Sequence, residues 1–199
     1  VIGGSHGKTT ITSMILHVLN YHSVEVDYMV GAQLDGFETM VHLTEENEFM
    51  VLEGDEYLSS PIDLRPKFHL YKPNIALISG IAWDHINVFP TFENYVEQFS
   101  IFTDSLTNGG IMVYNEEDEE VKNVVENSES PIKKYPYSTP EHNIVNGTTY
   151  IETPDGEMPL EIFGKHNLQN MAGARWICQH MGIGEEEFYE AIATFKGAS

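Results

Sequence analysis

VIGGSHGKTT, residues 1–10, decides how the rest of the chain is read. Val1 and Ile2 have the character of the last rungs of a strand, and Gly3, Gly4 and Gly7 follow at once. From Thr9 to about His22, apolar residues return at Ile11, Met14, Ile15, Val18 and Leu19, the spacing of a helix. Strand, glycine turn and helix start together make an anion site. The first N–H groups of a helix have no partner within it, and the helix dipole adds partial positive charge there. In that setting Lys8 reaches terminal phosphates and the Thr9 hydroxyl can hold a magnesium ion. The phosphate-loop pattern usually has a glycine five residues before Gly7, where Ile2 stands here. The alternative is a glycine-rich helix start that carries Lys-Thr by coincidence.

Moving outward, VEVDYMVG at 24–31 is a short strand, and FMVLE at 49–53 is an apolar run that ends in acids. NIALIS at 74–79 is a second such run. Continuous apolar runs of this length are the mark of buried parallel strands. TFENYVEQFSIFTDSL at 91–106 has an amphipathic helical pattern, GGIMVYN at 109–115 is a further strand, and an acidic helix follows at about 116–127. The alternation predicts an α/β fold, a mostly parallel sheet flanked by helices. Ligands in such sheets bind at the carboxyl ends of the strands. The turn at 3–8, the acids after 49–53 and the polar residues after 74–79 are therefore expected on one rim.

From 131 to 163 the pattern changes. IKKYPYS, NIVNGTTYIET and MPLEIF alternate around Asn-Gly and Asp-Gly turns, which predicts a small antiparallel sheet. HNLQNMAGARWICQHMG at 166–182 is read as a helix with Gly182 near its C-cap, and EEEFYEAIATF at 185–195 as another.

Composition narrows the classes. The 199 residues are 41% hydrophobic, enough for one large domain. Ten basic against 31 acidic residues give a formal net charge of −21, which disfavours nucleic acid and anionic membranes as partners. A nucleotide site in such a field must rely on backbone dipoles, Lys8 and bound cations. The acidic runs at 116–120 and 185–187 read as solvated helix starts. The single cysteine, Cys178, excludes an internal disulfide and fits a reducing compartment. No apolar run approaches the ~20 residues of a membrane span, and nothing resembles a signal peptide. The chain is expected to be a piece of a longer protein, beginning inside a strand and ending at FKGAS.

Three further clusters carry chemistry. Glu53, in EGDEY at 53–57, emerges from an apolar strand where an acid can hold magnesium, or is simply a solvated strand end. WDH at 83–85 sets Asp84 beside His85 after the strand at 74–79, either as a metal or phosphate ligand or as a structural pair. FGKHNLQN at 163–170 places His166, Asn167 and Asn170 at a helix start, where amides can read a base edge or merely cap the helix.

SHGKTT, EGDEY, the downstream DH and GKHNLQNMAGA, in this order over essentially the whole chain, resemble the central ATP-binding domain of the Mur ligase family. The resemblance implies an ATP- and Mg2+-dependent amide-bond-forming ligase of bacterial cell-wall synthesis, working in the cytoplasm. It implies N-terminal UDP-binding and C-terminal domains flanking residues 1–199. The His6 form of the turn is similar to the branch that acts on UDP-N-acetylmuramate. DLRPKFHLY at 63–71 and DHINVF at 84–89 resemble members that add a murein tripeptide, with the L-alanine-adding members as the alternative.

By this resemblance the muramate carboxylate attacks the ATP γ-phosphate, and an amine displaces phosphate from the resulting acyl phosphate. Gly4, Ser5, His6, Gly7, Lys8, Thr9 and Thr10 would cradle the phosphates. Thr9, Glu53 and His85 would hold metal, with Lys8, Glu53 and His85 catalytic. His166, Asn167 and Asn170 would lie near the adenine. Gly80 stands where many members have asparagine, and Ala82 replaces a nearby acid. No lysine occurs between Lys72 and Lys122, so the carbamylated lysine of several relatives has no counterpart there. LSSP at 58–61 also departs from the tripeptide-adding pattern. Two other readings stay open: a nucleotide-binding regulatory module without ligase chemistry, and a metal module built on the nine histidines, whose scatter lacks ligand spacing. His17 is expected on the solvent side of the first helix.

Overall fold

The computed structural model describes residues 1–31, 41–54, 72–82, 91–162 and 164–197. In chain order these form β1 (Ile2–Gly3), α1 (Lys8–Tyr21), β2 (Asp27–Met29), β3 (Val41–His42), β4 (Met50–Leu52) and β5 (Ile75–Ile78). There follow α2 (Phe92–Asp104), β6 (Ile111–Asn115), α3 (Glu119–Glu126), β7 (Lys133–Tyr137), β8 (His142–Val145), β9 (Thr148–Thr153), β10 (Gly156–Leu160), α4 (Lys165–His180) and α5 (Glu185–Ile192). The chain divides into two compact units, Val1–Lys8 with Glu53–Tyr137, and Thr9–Leu52 with Ser138–Ser199.

The first unit is a parallel sheet in the order β1-β5-β6-β7. Ala76, Leu77 and Ile78 of β5 are fully buried, which is why this strand reads as an unbroken apolar run. Tyr95, Phe99 and Phe102 of α2 and Val121, Val124 and Val125 of α3 form one core with Ala76, Ile78, Met112 and Tyr114. Their three- and four-residue spacing on each helix makes the stripe that the sheet covers. Thr91 caps α2 by accepting from the Asn94 N–H, and Asp118 caps α3 by accepting from the Val121 N–H.

One expectation is corrected here. Residues 133–137 do not belong to the small antiparallel sheet; β7 runs parallel to β6, with Ile111 opposite Lys133 and Asn115 opposite Tyr137. The β6–α3–β7 path is an ordinary crossover. Pro136 is tolerated because, among the described residues, β7 pairs only with β6, so its missing N–H costs no ladder bond on the other side. The half-exposed alternation of such an edge strand looks the same in sequence as a hairpin strand. The antiparallel sheet is β10-β9-β8, turned at Asn146-Gly147, whose φ values of 51° and 80° suit a tight hairpin.

The second unit also holds α1, the sheet β3-β2-β4, α4 and α5. β2 pairs parallel to β4 and antiparallel to β3, a two-residue strand with no periodicity to announce it. Asp27, only 3% exposed, accepts from the Thr44 N–H (2.9 Å), the Thr44 hydroxyl (2.8 Å) and the Asn47 amide (2.8 Å). The Thr44 amide, with those side-chain donors, holds the Asp27 carboxyl below the usual range against its own desolvation. His17 is not solvent-facing. Its Nε2 lies 3.0 Å from the Ala191 carbonyl and 2.8 Å from the Thr194 hydroxyl at the end of α5, and its ring meets Phe195 edge-on. The last carbonyls of a helix need donors, and an imidazole from a neighbouring helix supplies one.

Candidate active site

The turn between β1 and α1 is shaped by two glycines. Gly4 has φ +130°, and a Cβ there would lie 2.2 Å from the Ser79 hydroxyl oxygen and 3.0 Å from the Ser79 amide. Gly7 has φ +83° immediately before α1 begins. Only glycine adopts these conformations cheaply, and the missing side chains let backbone approach a ligand closely. The turn rests on the end of β5. Ser79 N–H donates to the Gly3 carbonyl (3.1 Å), and the Ser79 hydroxyl donates to the carbonyls of Gly3 and His6.

Glu53 reaches the same rim. It bridges Ile2 in parallel, and the Gly54 N–H donates to the Ile2 carbonyl at 2.6 Å. Of the expected rim, the turn at 3–8, Glu53 and Ser79 meet in the first unit, while the acids beyond Gly54 and the polar residues beyond Ala82 lie outside the described residues. The backbone of Glu53 thus lies beside β1, the strand that leads into the glycine turn. Lys8 opens α1, followed by Thr9 and Thr10.

Ser5 is bonded within the protein at both its amide and its hydroxyl. Its N–H is donated to the Gly80 carbonyl (2.8 Å), so it faces the sheet rather than a phosphate. Its hydroxyl lies 2.8 Å from the Tyr95 phenol, donates to the Gly80 carbonyl (3.3 Å) and accepts from the Ala82 N–H (2.7 Å). Ser5 thus ties the glycine turn to the chain that leaves β5.

Gly80 lies against the ring of His6. A Cβ at 80 would lie 2.5 Å from Cε1 and 2.8 Å from Nε2 of His6, so the imidazole occupies the space a side chain would take.

Several residues at this rim were not singled out by the sequence. Asp118 both caps α3 and accepts the Ile81 N–H at 3.1 Å. Asn115 donates its amide to the Ser79 carbonyl (3.1 Å) and accepts from the Glu117 N–H (3.0 Å). Burial pushes the Tyr137 phenol well above its ordinary value, and the Asp118 charge adds to the shift. The run at 116–120 does start a helix, as expected, but Asp118 within it is a bonded cap rather than a solvated acid.

His166, Asn167 and Asn170 come together on the first turns of α4 in the second unit, after Gly164 with φ +90°. Asp84 and His85, with most of EGDEY, the 58–61 departure and the 63–71 phrase, lie outside the described residues. Among the described residues, no group of three or more histidines, cysteines or acids gathers to hold a metal. No described helix is long and apolar enough to cross a membrane.

The model of the Mur ligase middle domain matches residues 2–178. The chain belongs to that family. Among curated relatives, the UDP-N-acetylmuramate--L-alanine ligase of Phocaeicola vulgatus is 28% identical, over 98% of this chain and 43% of its own length. That of Parabacteroides distasonis is 29% identical, over 98% of this chain and 43% of its own length. The chain thus spans under half the length of these relatives. Among solved structures, the UDP-N-acetylmuramate:L-alanyl-gamma-D-glutamyl-meso-diaminopimelate ligase from Neisseria meningitides superposes with a TM-score of 0.80 at 22% identity. The match covers 98% of this chain and 65% of that one. It establishes the shared Mur ligase fold.

Proposed function

We propose that this chain is the ATP-binding middle domain of a ligase that joins an amine to the carboxylate of UDP-N-acetylmuramate through an acyl phosphate. Its proposed acceptor is the L-alanyl-γ-D-glutamyl-meso-diaminopimelate tripeptide. The observation that carries the reading is the rim itself, where a glycine turn running into Lys8 and the strand-end acid Glu53 meet at the carboxyl ends of parallel strands. The sequence phrases at 63–71 and 84–89 support the tripeptide. L-Alanine is the second reading, favoured by the names of the curated relatives.

The residues divide the work. His6, Gly7, Lys8, Thr9 and Thr10 are assigned to the phosphates, where positioning and charge offset dominate phosphoryl transfer. Magnesium, when bound, supplies positive charge against the phosphate oxygens, and Thr9, Glu53 and His85 are the groups assigned to hold it. His166, Asn167 and Asn170 are assigned to the adenine. Domains on either side of residues 1–199, and a cytoplasmic setting consistent with the one buried thiol, belong to the same proposal.

The test is ATP turnover by the full-length protein. The expected result is hydrolysis that requires UDP-N-acetylmuramate together with the tripeptide, and a loss of about 10²–10³-fold in Lys8→Ala. Turnover with L-alanine instead selects the second reading. Hydrolysis indifferent to UDP-N-acetylmuramate refutes the ligase proposal and favours a regulatory nucleotide module.

A further inference from the structure

Residues 80–82 leave β5 and belong to no helix or strand, yet their polar backbone is held from two sides. The Gly80 carbonyl takes the Ser5 N–H (2.8 Å), the Ile81 N–H goes to Asp118 (3.1 Å), and the Ala82 N–H goes to the Ser5 hydroxyl (2.7 Å). The Ser5 hydroxyl in turn meets the phenol of Tyr95 on α2 at 2.8 Å. A serine hydroxyl has one proton and two lone pairs. All three are used if Tyr95 and Ala82 donate to it and it donates to Gly80.

Tyr95 is fully buried among Phe99, Phe102 and aliphatic side chains, where a phenylalanine would fill the same volume. A hydroxyl taken out of water costs free energy unless it is bonded, and this one is bonded to the phosphate turn. Packing alone does not account for the tyrosine.

We propose that Tyr95, acting through the Ser5 hydroxyl, is a positioning residue that fixes the backbone of 80–82 in register with the phosphate turn. Asp84 and His85 follow two and three residues after Ala82 in the sequence. The catalytic part of this inference rests on the ligase reading above. Phosphoryl transfer depends on placement, and a misplacement of about 1 Å far from the reacting atoms can cost ~10²-fold in rate. Loss of this tie therefore acts on kcat and leaves ATP affinity nearly intact.

The experiment compares full-length parent, Tyr95→Phe, Ser5→Ala and the double variant. Expected for Tyr95→Phe is a fall in kcat of about ten- to a hundredfold, with KM for ATP within about twofold of the parent. The double variant should be no slower than Ser5→Ala alone, because both changes break one connection. In the same samples, amide hydrogen exchange at Ala82 should quicken about tenfold in Tyr95→Phe, while Ile81, held by Asp118, keeps the parent rate.

A kcat within twofold of the parent, a matching rise in KM, or independent losses in the double variant overturns the catalytic proposal. If the parent itself shows no turnover with UDP-N-acetylmuramate, the ligase reading falls separately, and Ala82 exchange alone decides the positioning role. Unchanged exchange at Ala82 overturns it.

Discussion

Two glycines of the rim face different obstacles, and a single methyl group distinguishes them. At Gly4 the obstacle is the Ser79 hydroxyl and backbone, combined with a φ of +130° that side chains rarely adopt. At Gly80 it is the outer part of the His6 ring, which can rotate away. Gly4→Ala is therefore expected to cost about 3 kcal/mol or more, from strain together with overpacking. Gly80→Ala should cost less than about 1 kcal/mol. Urea unfolding of both variants checks the contrast, and equal costs would contradict it. The same geometry means that a side chain at position 80 requires the His6 ring to move.

The helices show what one cap can carry. Thr91 performs a single task at the start of α2, whereas Asp118 caps α3 and also holds the Ile81 N–H. Thr91→Ala should cost about 1 kcal/mol, the usual value of a lost cap. Asp118→Ala should cost about 2–3 kcal/mol, because a second N–H loses its acceptor. Chemical denaturation distinguishes them, and similar values would mean that the Ile81 bond contributes nothing.

Most elements were legible because their signals are local. β5 is an unbroken apolar run, and α2 and α3 repeat at helical spacing behind Thr91 and Asp118. What stayed hidden was relational. Nothing in KKYPY tells a parallel edge strand from a hairpin arm, and two residues at 41–42 are too few to show a period. His17 looks like any polar helix residue until α5 is placed beside it. At the site, the turn and Glu53 were visible as residue types in order. The roles of Ser5, Tyr95, Asn115 and Asp118 depend on partners about 36 to 90 positions away, beyond any motif.

At the scale of the molecule, a net charge of −21 makes each buried carboxylate a point where acid acts. Asp27 is the clearest case in the second unit. Its folded pKa lies below the unfolded value, so its contribution is fully present above an ordinary aspartate pKa of about 3.9. That contribution is lost as pH falls through the depressed folded value. Asp27→Asn should therefore be clearly less stable than the parent at pH 6, with the difference shrinking towards pH 3. Thermal melts across that range check it, and a gap that widened on acidification would reverse the sign of the argument.

The contacts that fasten the phosphate turn also set a timetable. Ser5 meets Gly80 and Tyr95 across 75 and 90 positions, and Ile81 meets Asp118 across 37. Closing such long loops is slow beside forming a helix or the β8–β10 hairpins. On a ribosome adding about 5–20 residues per second, the glycine turn emerges on the order of ten seconds before Asp118 does. Through that interval a lysine-bearing loop shaped for anions exists without the scaffold that gives it its form. The glycine turn is thus made well before the partners that hold it in place.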